Sequence, residues 1–153
     1  MAEVKFEDFS VKVKGALDEA VYQFLEEAAS EIQSQTQRKT PVDTGQLKGS
    51  WSHIVDEAQK EATIGSPLEN AIWTEFGTGE YALEGKGRKG GWLVPAEKLS
   101  AKAKSKMQKV EIDGKDFYRT YGKRPVRMLH NAFEESKAKI KRRAEQIFKE
   151  RLK

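Results

Sequence analysis

Asp43-Thr44-Gly45, inside the stretch Thr40–Trp51, is the residue triplet that carries the carboxylate in aspartic proteases. That chemistry needs two such carboxylates sharing one proton, and a homodimer using Asp43 twice would supply both. The surroundings point elsewhere. The triplet follows a helix-forming run and Thr40-Pro41, not an apolar strand, and the later apolar run ending Gly-Arg-Asp or Gly-Arg-Asn is missing, since Gly87-Arg88 continues into Lys89. The simpler reading is a tight connection in which Asp43 bonds its own backbone in an Asx-type turn. Gly77-Thr78-Gly79-Glu80-Tyr81-Ala82 has the Gly-x-Gly-x-x-Ala spacing of a dinucleotide loop, but glycines, lysines and arginine follow it where a helix is required. The spacing from Gly79 to Gly85-Lys86 is one residue too long for a phosphate loop, and the Ser/Thr after the lysine is absent. His53 and His130 have no paired spacing, and with no cysteine there is no disulfide, thiol nucleophile or thiolate metal site. We therefore expect no catalytic, cofactor-binding or metal-binding residues, and a protein that is not an enzyme.

Charge is the next candidate for function. Residues 1–84 hold 16 Asp/Glu and 7 Lys/Arg, a net of −9, whereas residues 85–153 hold 8 and 21, a net of +13. Such asymmetry suggests a nucleic-acid or membrane contact or a charged tail. It equally suits head-to-tail packing of copies into a ring, or the two signs intermix in space. The basic runs Lys98–Lys109 and Lys137–Lys153 could track phosphates, yet no nucleic-acid recognition motif accompanies them. Nonspecific nucleic-acid binding by the basic C-terminal half is thus the alternative function, and a homodimeric aspartic protease using Asp43 a remote one. Trp51, Trp73 and Trp92, each with apolar neighbours, read as core or subunit-interface residues before base-stacking ones.

The elements that must position these residues follow from periodicity. Phe9, Val11 and Val13 alternate with polar residues, a strand pattern ending at Gly15. Leu17, Val21, Phe24, Leu25, Ala28 and Ile32 form the stripe of a helix over about 16–38, stopped at Thr40-Pro41. Leu47–Ala58, with Leu47, Trp51 and Val55 on one face, and Lys60–Gly65 read as a hairpin turning near 57–60. Ala71–Phe76 is a short helix or irregular segment. The glycine-rich 77–91 is a loop, Trp92–Val94 a short apolar run, and 96–109 has weak helical periodicity. Asp113-Gly114 between Val110/Ile112 and Phe117/Tyr118 is the best hairpin signal in the chain. Pro125 opens a last helix whose inner stripe is Val126, Leu129, Phe133, Ile140, Ala144 and Ile147. The expected fold is α+β: a single domain over 1–153, with a small, mostly antiparallel sheet packed by an N-terminal and a C-terminal helix and a flexible Gly/Lys-rich excursion over about 77–109. The mixed, acidic Met1–Phe6 is not a signal peptide. No apolar run nears the roughly 20 residues that span a bilayer, so we expect a cytoplasm-like compartment and no membrane partner.

Three blocks in this order carry a family resemblance. They are Thr40-Pro41-Val42-Asp43-Thr44-Gly45-x-Leu47-x-x-Ser50, Trp73-Thr74-Glu75-Phe76-Gly77-Thr78, and Arg124-Pro125-Val126-Arg127-Met128-Leu129-His130-Asn131-Ala132. The chain resembles the gene-product-ten-like family of phage Hong Kong 97, the tail-completion or head–tail joining (neck) proteins of long-tailed phages and prophages. The stretch 80–120 is longer than the family core needs, and the third block is looser than the family pattern. The resemblance implies a structural virion protein without cofactor or turnover. It would be assembled in the bacterial host cytoplasm and located at the head–tail junction or tail tip. Its partners would be the tail terminator, the head-side connector and other neck and tail proteins, with ring-forming copies of itself and nonspecific DNA contact as further partners. Pro41, Asp43, Thr44, Gly45, Glu75, Gly77, Pro125 and Leu129 would be the structural motif residues. Trp92, Lys86, Arg88, Lys89, Lys102, Lys106, Lys141 and Arg142 are the expected interface residues.

Overall fold

A computed structural model describes residues 8–153; the reading of Met1–Phe6 lies outside them. The fold class is α+β, as expected. The chain forms two compact units, one from residues up to Pro67 together with Met128–Lys153, the other from Leu68–Arg127. The strands divide into two antiparallel sheets where one was expected.

In the first unit, helix α1 (Ser10–Lys39) packs against helix α5 (Met128–Arg151) and against the hairpin of β1 (Ser52–Asp56) and β2 (Glu61–Gly65). The expected strand at Phe9–Val13 is instead the first turn of α1. Asp8 Oδ1 accepts from Ser10 N–H at 2.8 Å and Val13 N–H donates to Phe9 C=O at 2.9 Å. A period of two gives burial only if another strand lies alongside, and Val11 is 83% exposed, so its β-branch costs the helix only a few tenths of a kcal/mol. The buried positions Ala20, Ala29, Ile32 and Thr36 are mostly small, which lets neighbouring backbone approach closely. The hairpin turns where expected. Its inward residues pair across the register, His53 with Ile64 and Val55 with Ala62. His53 sits over α1, its ring nitrogens facing Gln33 Oε1 and Glu26 Oε1. Leu47, expected in the strand, lies in a separate helical turn, α2 (Gln46–Gly49).

α5 starts at Met128, three residues after the expected Pro125, because Arg127 has φ +59 and Val126 N–H donates to Thr74 C=O. The stripe holds in the second half of the helix, where Ile147 is buried and Ile140 and Ala144 half-buried, and is displaced in the first half, where Met128, Ala132 and Ser136 are buried while Phe133 is 46% exposed beneath the Lys137 ammonium. Along the α1–α5 seam the two signs of charge intermix. Arg143 grips Glu27 at 2.6 and 3.0 Å, Lys139 meets Glu31 at 2.9 Å, Arg151 meets Glu19 at 3.2 Å, and Lys39 meets Glu135 at 2.6 Å. The order of these pairs makes the helices antiparallel. Much of the charge split in sequence is therefore an ion-pair ladder inside one unit. Net positive charge is concentrated in the other unit, where Leu68–Arg127 carries thirteen Lys/Arg and eight Asp/Glu.

The second unit holds helix α3 (Glu69–Phe76), helix α4 (Ala101–Lys104) and a sheet in the order β3 (Trp92–Pro95), β5 (Lys115–Thr120), β4 (Gln108–Ile112). The Asp113-Gly114 turn forms as expected, with φ +50 and +72 and Ile112 opposite Lys115. This is the turn geometry that matches the twist of a hairpin. Residues 96–109, weakly helical in sequence, supply a 3₁₀ turn (Ala96–Lys98), α4 and the start of β4. No residue of the three strands is fully buried; the fully covered positions of this unit, Ala71, Thr74, Glu75 and Gly79, cluster around α3 and the turn after it.

The ion-pair ladder predicts a pH dependence. The Arg143 guanidinium, with help from the Gln23 amide, lowers the Glu27 carboxyl from 4.5 to about 2, and Lys139 and Gln35 lower Glu31. A carboxyl depressed on folding adds stability that is present above its ordinary value and lost as pH falls toward the folded one. Urea midpoints should therefore drop between pH 4.5 and about 2, and Glu27→Gln should flatten that drop while raised salt weakens it. A midpoint independent of pH across this window would contradict the ladder.

Candidate functional site

The Asp-Thr-Gly block turns out to be a corner. Trp51 is buried, and its indole N–H donates to Thr40 Oγ1 at 2.9 Å, while the Thr40 hydroxyl donates to Thr36 C=O at 2.7 Å. A buried indole N–H left without an acceptor would cost about 1–3 kcal/mol, so the threonine that ends α1 is matched to the tryptophan that opens the hairpin. Between them Gly45 has φ +83 and caps α2. The turn's side-chain bond comes from Thr44, whose Oγ1 accepts from Gln46 N–H at 3.3 Å, and not from Asp43 as expected. Pro41, Asp43 and Thr44 are all exposed. Ser50, the last residue of the block, bonds Leu47 C=O and the Ser66 hydroxyl, each at 2.7 Å, closing the base of the hairpin. Asp43 thus stands on an exposed outer turn.

The second and third blocks meet inside the Leu68–Arg127 unit and form a clasp. Val126 N–H donates to Thr74 C=O at 2.8 Å, Thr78 N–H to Lys123 C=O at 2.9 Å, and Glu80 N–H to Tyr121 C=O at 2.9 Å. Thr78 Oγ1 accepts from Lys123 N–H at 2.9 Å, and the Lys123 ammonium reaches Thr74 Oγ1 at 2.8 Å. Burial holds that ammonium below the ordinary lysine range. Gly77 has φ +74 and ψ 173, a region open essentially to glycine alone. A Cβ there would sit 2.9 Å from Lys123 O, Pro125 Cδ and Tyr81 O. At Gly79 a Cβ would come within 2.2 Å of Tyr121 O and 2.8 Å of the Trp92 ring. Glycine is required at both positions because two backbone segments touch there.

Aromatic rings and arginines edge this clasp. The Arg127 guanidinium lies 5.8 Å from the Phe76 ring centroid, Arg124 lies 4.5 Å from Tyr81, and Arg88 lies 5.4 Å from Trp92. Arginine stacked on a ring keeps its N–H fork available for a carboxylate or phosphate. Of the expected motif residues, the clasp brings together Glu75, Gly77 and Pro125. Pro41, Asp43, Thr44 and Gly45 lie at the Trp51 corner, and Leu129 lies in the first turn of α5. Of the expected interface residues, Trp92 and Arg88 stack on each other. Lys86 pairs with Glu84 at 3.0 Å, Lys89 is exposed, and Lys102 and Lys106 lie in and after α4. Lys141 and Arg142 are exposed on α5, in the other unit. Arg124, Arg127 and Tyr81 stand in the motif stretches but were not expected as interface residues, because the pairings of Arg124 with Tyr81 and Arg127 with Phe76 join residues far apart in the sequence.

Among the described residues no group of three His, Cys, Asp or Glu is placed to hold a metal ion, and no helix is long and apolar enough to cross a membrane. Residues 5–77 match the model of the HK97-gp10-like family, described as "Bacteriophage HK97-gp10, putative tail-component". The matched stretch contains the first motif block and the second up to Gly77, inside the clasp. Comparison with curated proteins and with solved structures gives no match.

The clasp separates two kinds of glycine. Gly77→Ala should destabilise the protein by at least about 3 kcal/mol, from a forbidden backbone region and three close contacts together. Gly45→Ala, at positive φ but with nothing within 4 Å of the new Cβ, should cost only about 1–2 kcal/mol. Urea denaturation checks both; equal costs would refute the clasp.

Proposed function

We propose that this protein is a structural component of a phage or prophage particle, acting at the head–tail junction or tail tip through protein–protein contacts. The observation that carries the reading is the family match over residues 5–77. The Trp51 corner and the Gly77 clasp are both scaffolds, and Asp43 is an exposed turn residue. The residues offered to partners are Trp92, Lys86, Arg88, Lys89, Lys102 and Lys106 of the Leu68–Arg127 unit and Lys141 and Arg142 of α5. The neck and tail proteins on either side, and copies of this chain arranged around the channel, are the partners of this reading. Nonspecific binding to DNA has less behind it, since Lys139, Arg143 and Arg151 of the basic helix are engaged with Glu31, Glu27 and Glu19.

Deleting the gene from its phage or prophage and fractionating the lysate tests the proposal. Filled heads and unjoined tails should accumulate, and the purified protein should restore joined particles. Joined, infectious particles at normal yield without the protein would contradict it.

A further inference from the structure

α3 is amphipathic in an unusual sense. Its inner face, Ala71, Thr74 and Glu75, is buried. Its outer stripe, Glu69, Ile72, Trp73 and Phe76 at helical i, i+3, i+4, i+7 spacing, is apolar over three of four positions. Ile72 is 61% exposed, Trp73 47% and Phe76 51%. Solvent-facing tryptophan, phenylalanine and isoleucine side by side, with arginine beside them, have the composition of an interface centre and not of an ordinary surface. The clasp fixes what lies at the C-terminal end of the stripe. Gly77 abuts Tyr81, Lys123 and Pro125, so Arg127 over Phe76 and Arg124 over Tyr81 belong to the same surface.

We propose that this stripe docks a partner protein segment whose apolar side chains are flanked by carboxylates. The inference rests on the structural-component reading and names the chemistry of the partner. Charge complementarity selects it, because the unit that carries the stripe has an excess of five positive charges, and two arginines stand at the Phe76 end with their forks unspent on the rings. Glu69, the acidic residue on the stripe, sits at the opposite end, so the partner's carboxylates lie toward Arg124 and Arg127. A nucleic-acid strand fits less well. One face each of Phe76, Tyr81 and Trp92 already carries a guanidinium, and Ile72 offers a base nothing to stack on.

The test is fluorescence polarisation on the full-length protein, with a short labelled synthetic peptide bearing Leu and Phe at helical spacing and Asp and Glu elsewhere. The comparison peptide replaces every acid by lysine. The acidic peptide should bind at least about tenfold more tightly than the lysine one, and Trp73→Ala and Ile72→Ala should each weaken it by about tenfold. Arg127→Gln should reduce affinity and its salt dependence. Ile54→Ala, a change at an exposed residue of the β1–β2 hairpin, should leave binding unchanged and controls for folding. Equal binding of both peptides, indifference to Trp73→Ala, or Trp73-dependent displacement of the peptide by single-stranded DNA would overturn the proposal. The measurement needs no phage particle, so its failure removes the docking surface while the particle-joining experiment judges the structural role separately.

Discussion

Three backbone hydrogen bonds, from Val126 to Thr74, Thr78 to Lys123 and Glu80 to Tyr121, hold the Leu68–Arg127 unit together where its sheet does not. The three strands bury no residue fully, so the hydrophobic term that usually fixes a small sheet is weak here. The clasp supplies the closure instead, and it works only because Gly77 and Gly79 let the two segments touch. The rest of the site follows from it. The clasp ends α3 at Phe76, keeps Val126 out of α5, and sets Arg124 and Arg127 against Tyr81 and Phe76.

The other unit is built on a different constraint. α1 is long and carries small buried residues, and both the hairpin and α5 lie against it. The acidic residues of α1 and the basic residues of α5 neutralise each other along their length. Mostly exposed pairs of this kind add little stability singly, but together they specify the antiparallel order of the helices. They also change what the basic C-terminal helix means: in a run that looks ready for phosphates in sequence, Lys139, Arg143 and Arg151 are engaged with α1, while Lys141 and Arg142 stay exposed.

What the sequence disclosed was what depends on neighbours in the chain. Helix α1 was legible from its 3.6-residue stripe, although of the six residues expected on that stripe only Ile32 is fully buried and Leu17 is exposed. Both hairpins were legible too, one from alternation, the other from Asp113-Gly114. The first motif block, and the second up to Gly77, were legible as a family resemblance and lie in the stretch that the family model matches, residues 5–77. The failures have long-range causes. Val11 and Val13 alternate like a strand but lie in α1, and no strand among the described residues pairs with them. Pro125 looks like a helix start, yet the Val126 amide is claimed by Thr74 and Arg127 turns to positive φ. Thr40 could not be linked to Trp51, nor Arg127 to Phe76, without the fold that joins them. Asp43 drew attention as a carboxylate, whereas Gly77, in the next block, carries the stricter conformational requirement.

The claim on which this account turns is that the clasp is the cooperative core of the Leu68–Arg127 unit, and native-state hydrogen exchange addresses it most directly. The amides of Thr78, Glu80 and Val126 should exchange slowly and with one common opening free energy, matching that of the β5 amides. Exchange of these three at the rates of exposed loop amides, while β5 stays protected, would contradict it.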